Sequence, residues 1–203
     1  MNKEVRSMVQ DVEFRDKDNG ERFIEGYALK FRTWSEDLGG FRETIEPEAL
    51  DKTDFSDVRA LFNHNADHVL ARSSAGTLKL EVDDTGLKFR ARIPNTSYGN
   101  DLAENLRNGN VNQCSFGFCL DEDGDEFSYD DNEGIFKRSL RSIKEIVDVS
   151  VVTYPAYKDT DVAPALRSLN AIKEEERKRD VEAQEIEKRE LDKEKLKLEL
   201  ELL

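Results

Sequence analysis

The sequence has few of the residues that build disulfides, metal centres or membrane spans. Among its 203 residues are two cysteines, two histidines, four prolines and one tryptophan. No CxxC pair or Cys/His cluster occurs, so we expect no metal and no cofactor. Cys114 and Cys119 are an odd number of positions apart in one predicted strand, which puts them on opposite faces and excludes a disulfide between them. No apolar run suits a signal peptide or a membrane span, so we expect a reducing cytoplasm and no membrane partner.

Positive charge is also in deficit. The chain has 31 Lys and Arg against 45 Asp and Glu, a net charge of -14. A protein that grips DNA or RNA through phosphates needs a basic face, so we expect no nucleic-acid partner. The acidic segment "DEDGDEFSYDDNEG" lacks the terminal glutamate and the flanking helices of a calcium loop, and we interpret it as a solvated loop.

Alternating apolar runs in the first four-fifths of the chain predict β-strands. The clearest hairpin is "TLKLEVDDTGLKFRARI", where Leu78 and Leu80 alternate before the turn and Phe89 and Ala91 after it. Another hairpin is predicted within residues 10–32, around an Asn-Gly turn. A body made mostly of strands and short turns favours a barrel or a sandwich.

Helices are predicted at two places in this body. Pro47 suits the first turn of a short helix over "PEALDKT", within a segment, residues 33–57, that otherwise looks irregular. "SYGNDLAENLRNGNV" predicts a longer helix, with Leu102 and Leu106 on its apolar face and a glycine as its C-cap. "DVRALFNHN" and "IFKRSLRSIKEIVDVSVVTYP" are interpreted as further strands.

The composition changes towards the end of the chain. Residues 165–203 are rich in Glu, Lys, Arg and Leu, all good helix formers, with opposite charges three and four positions apart. Their apolar positions are too sparse for a sustained heptad. We therefore expect a β-rich domain at residues 1–164 and a charged helical arm at 165–203. The arm is either solvated and flexible or a docking segment.

A serine and a glycine interrupt the apolar strand "VNQCSFGFCL". Alternation puts Ser115 and Gly117 on one face, and Cys114 and the phenylalanines on the other. Ser115 is either a small polar residue that satisfies its own hydrogen bond or a nucleophile. In the second case, Gly117 would clear room for a substrate backbone.

Both histidines, His64 and His68, lie in "FNHNADHVLAR". Imidazole is the usual general base near neutral pH. A serine hydrolase needs a serine, a histidine that takes its proton, and an acceptor that orients the ring. Ser115 and His64 are each on a predicted strand, and they would meet if those strands pair. A structural histidine at a strand end is the alternative.

The order of several segments resembles a known family. "EGYALKF", "LGGFRETIEPEAL", "ALFNHN", "GTLKL", "SFGF" and "VSVVTYPAY" follow one another with the spacing of the tailed-bacteriophage prohead maturation proteases. The resemblance covers roughly residues 10 to 158. It implies a serine endopeptidase whose fold is similar to that of the herpesvirus maturation protease. That fold is mainly β with helices (α+β), an antiparallel β-barrel wrapped by a few helices.

The resemblance assigns catalytic roles to individual residues. The family's histidine falls on His64 in the FNH motif, and its serine falls on Ser115 in the SFGF motif. Ser115 would attack a peptide carbonyl, and His64 would carry its proton to the leaving amine. Cys114 is a poor alternative nucleophile because alternation points it to the other face.

The third member of the implied triad is Asp148, in "EIVDVSVV", although relatives often carry glutamate at this position. Alternation puts Asp148 on one face with Ile146 and Ser150, and a buried carboxylate there needs a partner. Glu145 and His68 are the alternatives for this role, and we expect His68 to lie exposed in a loop.

An oxyanion site would also be required, and herpesvirus proteases build it partly from arginine. Arg138 and Arg141 are the two candidates for this role.

The implied function is maturation of a phage head. Substrates would be the scaffolding protein or the scaffolding segment of the major capsid protein, and the chain itself, inside the assembling prohead in the host cytoplasm. Analogy with the herpesvirus enzyme also suggests a homodimer. The charged arm would target the protein to the head or be removed by autolysis. The alternative is a catalytically silent protease-like barrel that serves as a capsid scaffold or assembly protein.

Overall fold

The computed structural model describes residues 3–17, 20–154 and 163–201. The chain divides into two compact units, Met1–Val162 and Ala163–Leu203. The strands described in the first unit are β1 (Glu4–Asp11), β2 (Glu13–Asp16), β3 (Arg22–Lys30), β4 (Phe41–Ile45), β5 (Arg59–Phe62), β6 (Asn65–Arg72), β7 (Leu78–Val82), β8 (Gly86–Arg92), β9 (Gln113–Leu120), β10 (Asp125–Asp130), β11 (Ile135–Leu140) and β12 (Ile143–Val152). The first unit also contains a 3-10 helix (Pro47–Leu50) and the helix α1 (Ser97–Arg107), and the second unit is the helix α2 (Ala163–Glu201).

The strands form three sheets. Their orders are β1-β9-β12-β5-β6, β10-β11-β4 and β2-β3-β8-β7. Most pairs are antiparallel, but β12 with β5 and β11 with β4 are parallel. Parallel neighbours need crossover connections, which break the antiparallel order of the barrel expected from the sequence. The fold is mostly β with helices, and the described strands form no closed barrel.

The strongest local patterns predicted the elements well. The β7–β8 hairpin pairs Leu78 with Ala91 and Leu80 with Phe89, as expected. The predicted short helix begins at Pro47 as a 3-10 helix. Helix α1 buries the predicted residues Leu102 and Leu106. β2 pairs with β3, which confirms the first hairpin, although its predicted turn falls partly outside the described residues.

Two strands were hidden by their polar composition. The segment predicted to be irregular contains β4, and the acidic segment interpreted as a loop contains β10. Each uses a carboxylate that the fold pairs with Arg138: Glu43 of β4 at 2.7 Å and Asp125 of β10 at 2.6 Å. A strand whose inward residue is a paired acid does not show the apolar alternation that reveals strands in a sequence.

A buried ionic cluster joins the first sheet to the second. It contains Glu4 and Arg6 of β1, Glu43, Arg138 and Asp125, and all except Asp125 are nearly inaccessible. Arg6 Nε lies 2.8 Å from Glu43 Oε1, and Arg138 Nη1 lies 2.8 Å from Glu4 Oε2. Buried charges persist only when they are paired. The cluster therefore fixes β1 against β4 and β11.

The second unit consists of a single charged helix. α2 carries exposed ion pairs one turn apart, such as Glu175 with Arg179 at 2.5 Å. Val181 and Ile186 are each 51% exposed, whereas Ala165 and Leu169, near the start of the helix, are buried. Among the described helices, none is long and apolar enough to cross a membrane. The boundary predicted at 164/165 and the role of the arm stay predictions.

Candidate active site

Ser115 lies at the centre of the first sheet. Strand β9 runs between β1 and β12, and Ser115 of β9 pairs with Ser150 of β12. Paired residues of neighbouring strands share a face, so Ser115 and Ser150 point the same way. Cys114 points to the opposite, apolar face, where its thiol contacts the Tyr27 carbonyl oxygen at 3.0 Å. Burial raises the pKa of the Cys114 thiol to about 12, which disfavours a thiolate there.

His64 lies in a tight turn, not on the strand predicted from the sequence. Phe62 pairs with Asn65 across the β5–β6 hairpin, so Asn63 and His64 are its two turn residues. Their φ angles are 54° and 55°. Positive φ at both central positions matches the twist of a two-residue hairpin turn, and asparagine tolerates it better than most residues. The turn projects the imidazole sideways towards β12 and β9.

Asn63 fixes this turn to the end of β12. Its backbone N–H donates to the Val151 carbonyl at 2.8 Å, and its Oδ1 accepts from the Thr153 N–H at 2.8 Å. Its Nδ2 also lies 3.2 Å from Thr153 Oγ1. These contacts determine where the neighbouring His64 sits relative to Asp148 on the same strand.

Asp148 faces Gly117 across the β9–β12 ladder. The register shifts between Ile146 and Asp148, so Ile146 faces the apolar side opposite Phe118. The predicted face shared by Ile146 and Asp148 is therefore wrong, because a bulge reverses the alternation there. The predicted pairing of Asp148 with Ser150 on one face holds, since Ser150 Oγ donates to Asp148 Oδ1 at 2.7 Å.

The imidazole of His64 bridges Asp148 and Ser115. Its Nδ1 lies 2.6 Å from Asp148 Oδ1, and its Nε2 lies 2.7 Å from Ser115 Oγ. Lys3 Nζ lies 2.6 Å from the other carboxylate oxygen, Oδ2. The Asp148 side chain is only 1% exposed, while that of His64 is 20% exposed.

The electrostatics of the site keep Asp148 ionised. Burial alone raises the pKa of the Asp148 carboxyl, but the hydrogen bond and charge of His64 and the charge of Lys3 outweigh it and hold the pKa at about 2. An ionised carboxylate beside Nδ1 requires a proton on that nitrogen. Nε2 of the neutral ring is then free to accept the Ser115 proton.

The Ser115 hydroxyl has two acceptors and no exposed surface. Besides His64 Nε2, its Oγ lies 2.9 Å from the Arg6 carbonyl oxygen of β1. The whole residue is 0% exposed. A peptide carbonyl therefore reaches Oγ only after a local rearrangement of the site.

The two alternatives for the acidic position lie elsewhere. Glu145 interacts with the Cys119 thiol, whose pKa is raised by burial and by this carboxylate. His68 is on β6 and half-buried, not in an exposed loop as predicted. Its ring lies 5.2 Å from that of Tyr98, and its Nδ1 is 3.3 Å from Asn65 Nδ2.

The two arginines considered for the oxyanion site are committed to other carboxylates. Arg138 is 2% exposed within the ionic cluster, and Arg141 pairs at the surface with Glu126 at 2.6 Å. In the described part of the chain, no group of His, Cys, Asp or Glu could hold a metal ion.

Sequence reasoning missed three residues that contact the site. Asn63 had a usable signal, since an asparagine in a two-residue connection favours a hairpin turn. Ser150 was visible by alternation with Asp148, but nothing indicated its hydrogen bond. Lys3 gave no signal, because only the pairing of β1 with β9 brings it near Asp148.

Comparison with known proteins identifies the fold and the family. The fold is similar to that of the bacteriophage T4 capsid assembly protease, gp21, with a TM-score of 0.53 and 16% identity, over 76% of this chain and 98% of that one. No curated protein matches the chain. The family model of the caudovirus prohead serine protease matches residues 10–175. Since this match spans most of the sequence, the chain belongs to the caudovirus prohead serine protease family.

Proposed function

We propose that the chain is a serine endopeptidase in which Ser115 is the nucleophile, His64 the general base and Asp148 the residue that orients His64. One observation carries the proposal: the two ring nitrogens of His64 contact Asp148 Oδ1 and Ser115 Oγ at 2.6 and 2.7 Å. Hydrogen-bonded serine, imidazole and carboxylate in this order are the arrangement that activates a serine hydroxyl.

The reaction follows from the proton positions. Ser115 Oγ attacks the peptide carbonyl carbon while its proton moves to Nε2 of His64. Asp148 stabilises the imidazolium through Nδ1. The imidazolium gives its proton to the leaving amine, and an acyl-enzyme remains on Oγ. Water, deprotonated by the same nitrogen, then attacks the ester, and Ser115 regains its proton as the carboxylic acid product leaves.

The substrates we propose are proteins of the assembling phage head. Family membership supports a role in capsid maturation, and the similar T4 protein is itself a capsid assembly protease. The scaffolding protein, or a scaffolding segment of the major capsid protein, would be cleaved inside the prohead, and the chain would also cleave itself. A homodimer belongs to the same proposal.

The buried serine supports a protease that is quiet until assembly. Ser115 has no exposed surface, and the Arg6 carbonyl competes with His64 for its proton. Activity therefore requires a local displacement that assembly or substrate would supply. This restraint suits an enzyme whose substrates become available only in the prohead.

We further propose that residues 1–164 form the protease domain and that 165–203 form an arm that docks to the head or is removed by autolysis. The composition of α2 supports this, because its exposed charges suit an accessible segment. Removing residues 170–203 should preserve peptide cleavage and reduce incorporation into proheads. Loss of folding on truncation would contradict the docking role.

The alternative function is a silent protease-like protein that acts as a scaffold. A protein retained only for assembly has no need for three side chains held at hydrogen-bond distances. The intact constellation therefore favours the protease.

Intact-mass analysis of the full chain co-expressed with the capsid protein of its phage tests the proposal. The wild type should shorten itself or the capsid protein, and Ser115→Ala should lower the rate by at least about a thousandfold. Asp148→Asn should be similarly slow because it favours the wrong tautomer of His64, whereas Glu145→Gln, a matched control on the same strand, should cleave normally. Equal cleavage by wild type and Ser115→Ala would contradict the assignment.

A further inference from the structure

Lys3 lies on the face of the sheet that contains Ser115 and Asp148. It immediately precedes β1, in which Val5 pairs with Gly117 of β9. Two positions before Val5, Lys3 has the same orientation by alternation. Its ammonium lies 2.6 Å from Asp148 Oδ2, and 38% of its side chain is exposed.

The two oxygens of Asp148 have different partners. Oδ1 accepts hydrogen bonds from His64 and Ser150, at 2.6 and 2.7 Å. Oδ2 is buried, and no hydrogen bond of standard geometry from the described residues reaches it. The Lys3 ammonium is its charged neighbour, and a buried carboxylate oxygen without any compensating group is costly. Lys3 thus satisfies the half of the carboxylate that His64 does not use.

The missing side chain of Gly117 creates the space for this contact. A Cβ at that position would lie 2.4 Å from Lys3 Cε and 2.5 Å from Asp148 Oδ2, closer than atoms can approach. Gly117, two residues after Ser115, therefore makes room for Lys3 and Asp148. These side chains fill the space that the sequence suggested for a substrate backbone.

The opposite face of β1 holds Lys3 in place. Glu4 and Arg6 point into the ionic cluster, where Glu4 pairs with Arg138 at 2.8 Å and Arg6 with Glu43 at 2.8 Å. Because alternate residues of β1 are anchored there, the start of the strand has little freedom to shift. The contacts on the opposite face of β1 therefore fix the position of Lys3 next to Asp148.

We propose that Lys3 is a positioning residue of the active site, which holds the Asp148 carboxylate so that Oδ1 faces His64. The segment before β1 thereby completes the constellation. This inference rests on the proposed serine protease function and assigns it a fourth side chain.

The charge of Lys3 also affects proton transfer. Among the described residues, the titratable and charged groups on this face include His64, Asp148, Lys3, Cys119, Glu145 and Arg59, the last of which pairs with Asp148 across the β12–β5 ladder. Lys3 offsets part of the negative charge that stabilises the protonated imidazole. Without it, His64 holds its proton up to a higher pH, so the neutral base required for attack becomes available only at higher pH.

The test compares full-length Lys3→Met and Lys3→Gln, which remove the charge, with Lys3→Arg, which keeps it. Lys79→Met is the matched control, because Lys79 is an exposed residue of another sheet. Two readouts are measured between pH 5 and 9. One is the Ser115-dependent rate of peptide cleavage or of fluorophosphonate labelling. The other is the NMR titration of the His64 ring, which two histidines make simple to assign.

Both neutral variants should slow the Ser115-dependent reaction about tenfold, a modest effect because the ion pair of Lys3 with Asp148 involves a partly exposed lysine. The acid limb of the rate profile and the midpoint of the His64 titration should both move to higher pH. Lys3→Arg should keep most of the wild-type rate and pH dependence, and Lys79→Met should match the wild type.

Failure of this inference is distinguishable from failure of the proposed function. If Lys3→Met and Lys3→Gln keep the wild-type rate and the wild-type His64 midpoint while Ser115→Ala is inactive, Lys3 has no positioning role. If the wild type, co-expressed with the capsid protein of its phage, reacts no faster than Ser115→Ala, the protease function fails, and the His64 titration alone decides on Lys3. Circular dichroism shows whether each variant is folded, and if one neutral variant is not, the other supplies the result.

Discussion

Gly117 and Asp148 face each other across two strands, and a Cβ on Gly117 would lie 2.5 Å from Asp148 Oδ2. The absence of a side chain on one strand is thus tied to the position of a carboxylate on the next. This relationship can be tested separately from the chemistry of Ser115.

Gly117→Ala should therefore cost both stability and activity. The methyl group must displace Asp148 or Lys3, and overpacking of this kind typically costs about 1–3 kcal/mol. Urea unfolding measures the free energy of unfolding, and fluorophosphonate labelling measures Ser115 reactivity. Ser115→Ala, on the same strand, is the matched control and should lose reactivity with little loss of stability. A Gly117→Ala protein with wild-type stability and labelling would contradict the packing.

Substitutions of Asn63 should separate backbone conformation from hydrogen bonding. Asn63→Ala loses the Thr153 contacts and places alanine at φ 54°, which costs about 1–2 kcal/mol for a residue with a Cβ. Asn63→Gly loses the same contacts but tolerates that φ angle.

The glycine variant should consequently be the more stable of the two in thermal unfolding. Both should lower Ser115 reactivity, because the turn no longer fixes His64. If the alanine variant were as stable and as reactive as the wild type, the turn would not depend on Asn63.

The ionic cluster should make Arg138 essential for stability. Arg138→Met leaves Glu4 and Glu43 buried without a full set of partners, and breaking a buried ion pair from one side costs about 3–5 kcal/mol. Arg141→Met is the matched control because its exposed pair with Glu126 should change stability by less than about 0.5 kcal/mol. Denaturant unfolding compares the two. Normal stability but lost activity in Arg141→Met would instead restore Arg141 as an oxyanion residue.

Acid should remove the stabilisation that Asp148 provides. The pKa of Asp148 is about 2 in the folded protein, against an ordinary value of 3.8 for an aspartate. A carboxylate whose pKa is lowered on folding stabilises the folded protein at pH values above its pKa in the unfolded chain. This stabilisation is lost as the pH falls through the pKa of the folded protein. Glu4, whose burial is outweighed by Arg138 and Arg6 so that its pKa is lowered, acts in the same direction.

The comparison that isolates Asp148 is with Asp148→Asn. The difference in the free energy of unfolding between wild type and variant should be about 1 kcal/mol smaller at pH 3 than at pH 6. Urea titrations at both pH values measure it. A difference that stays constant would mean that Asp148 is not held ionised by His64 and Lys3.

The local patterns of this sequence were enough to predict the strands and the helix that bury one apolar face. The β7–β8 hairpin and α1 are of this kind, because each packs one apolar face against the core. β4 and β10 were missed since their inward residues include Glu43 and Asp125, which pair with Arg138 on a third strand. His64 was placed on a strand because the apolar run of β5 leads directly into it, and the turn signal of Asn63 is weaker without a following glycine.

The sequence by itself determined the β-rich class, a charged helical segment towards the end of the chain, the family and the identity of Ser115, His64 and Asp148 as the residues to examine. These depend on composition, periodicity and motifs, which are local properties. Only the tertiary structure decided that a hairpin turn delivers His64, that a bulge in β12 turns Asp148 towards it, and that Lys3 and Gly117 share its far side. Each of these is a contact between segments distant in sequence, and strand pairing alone sets which side chains meet.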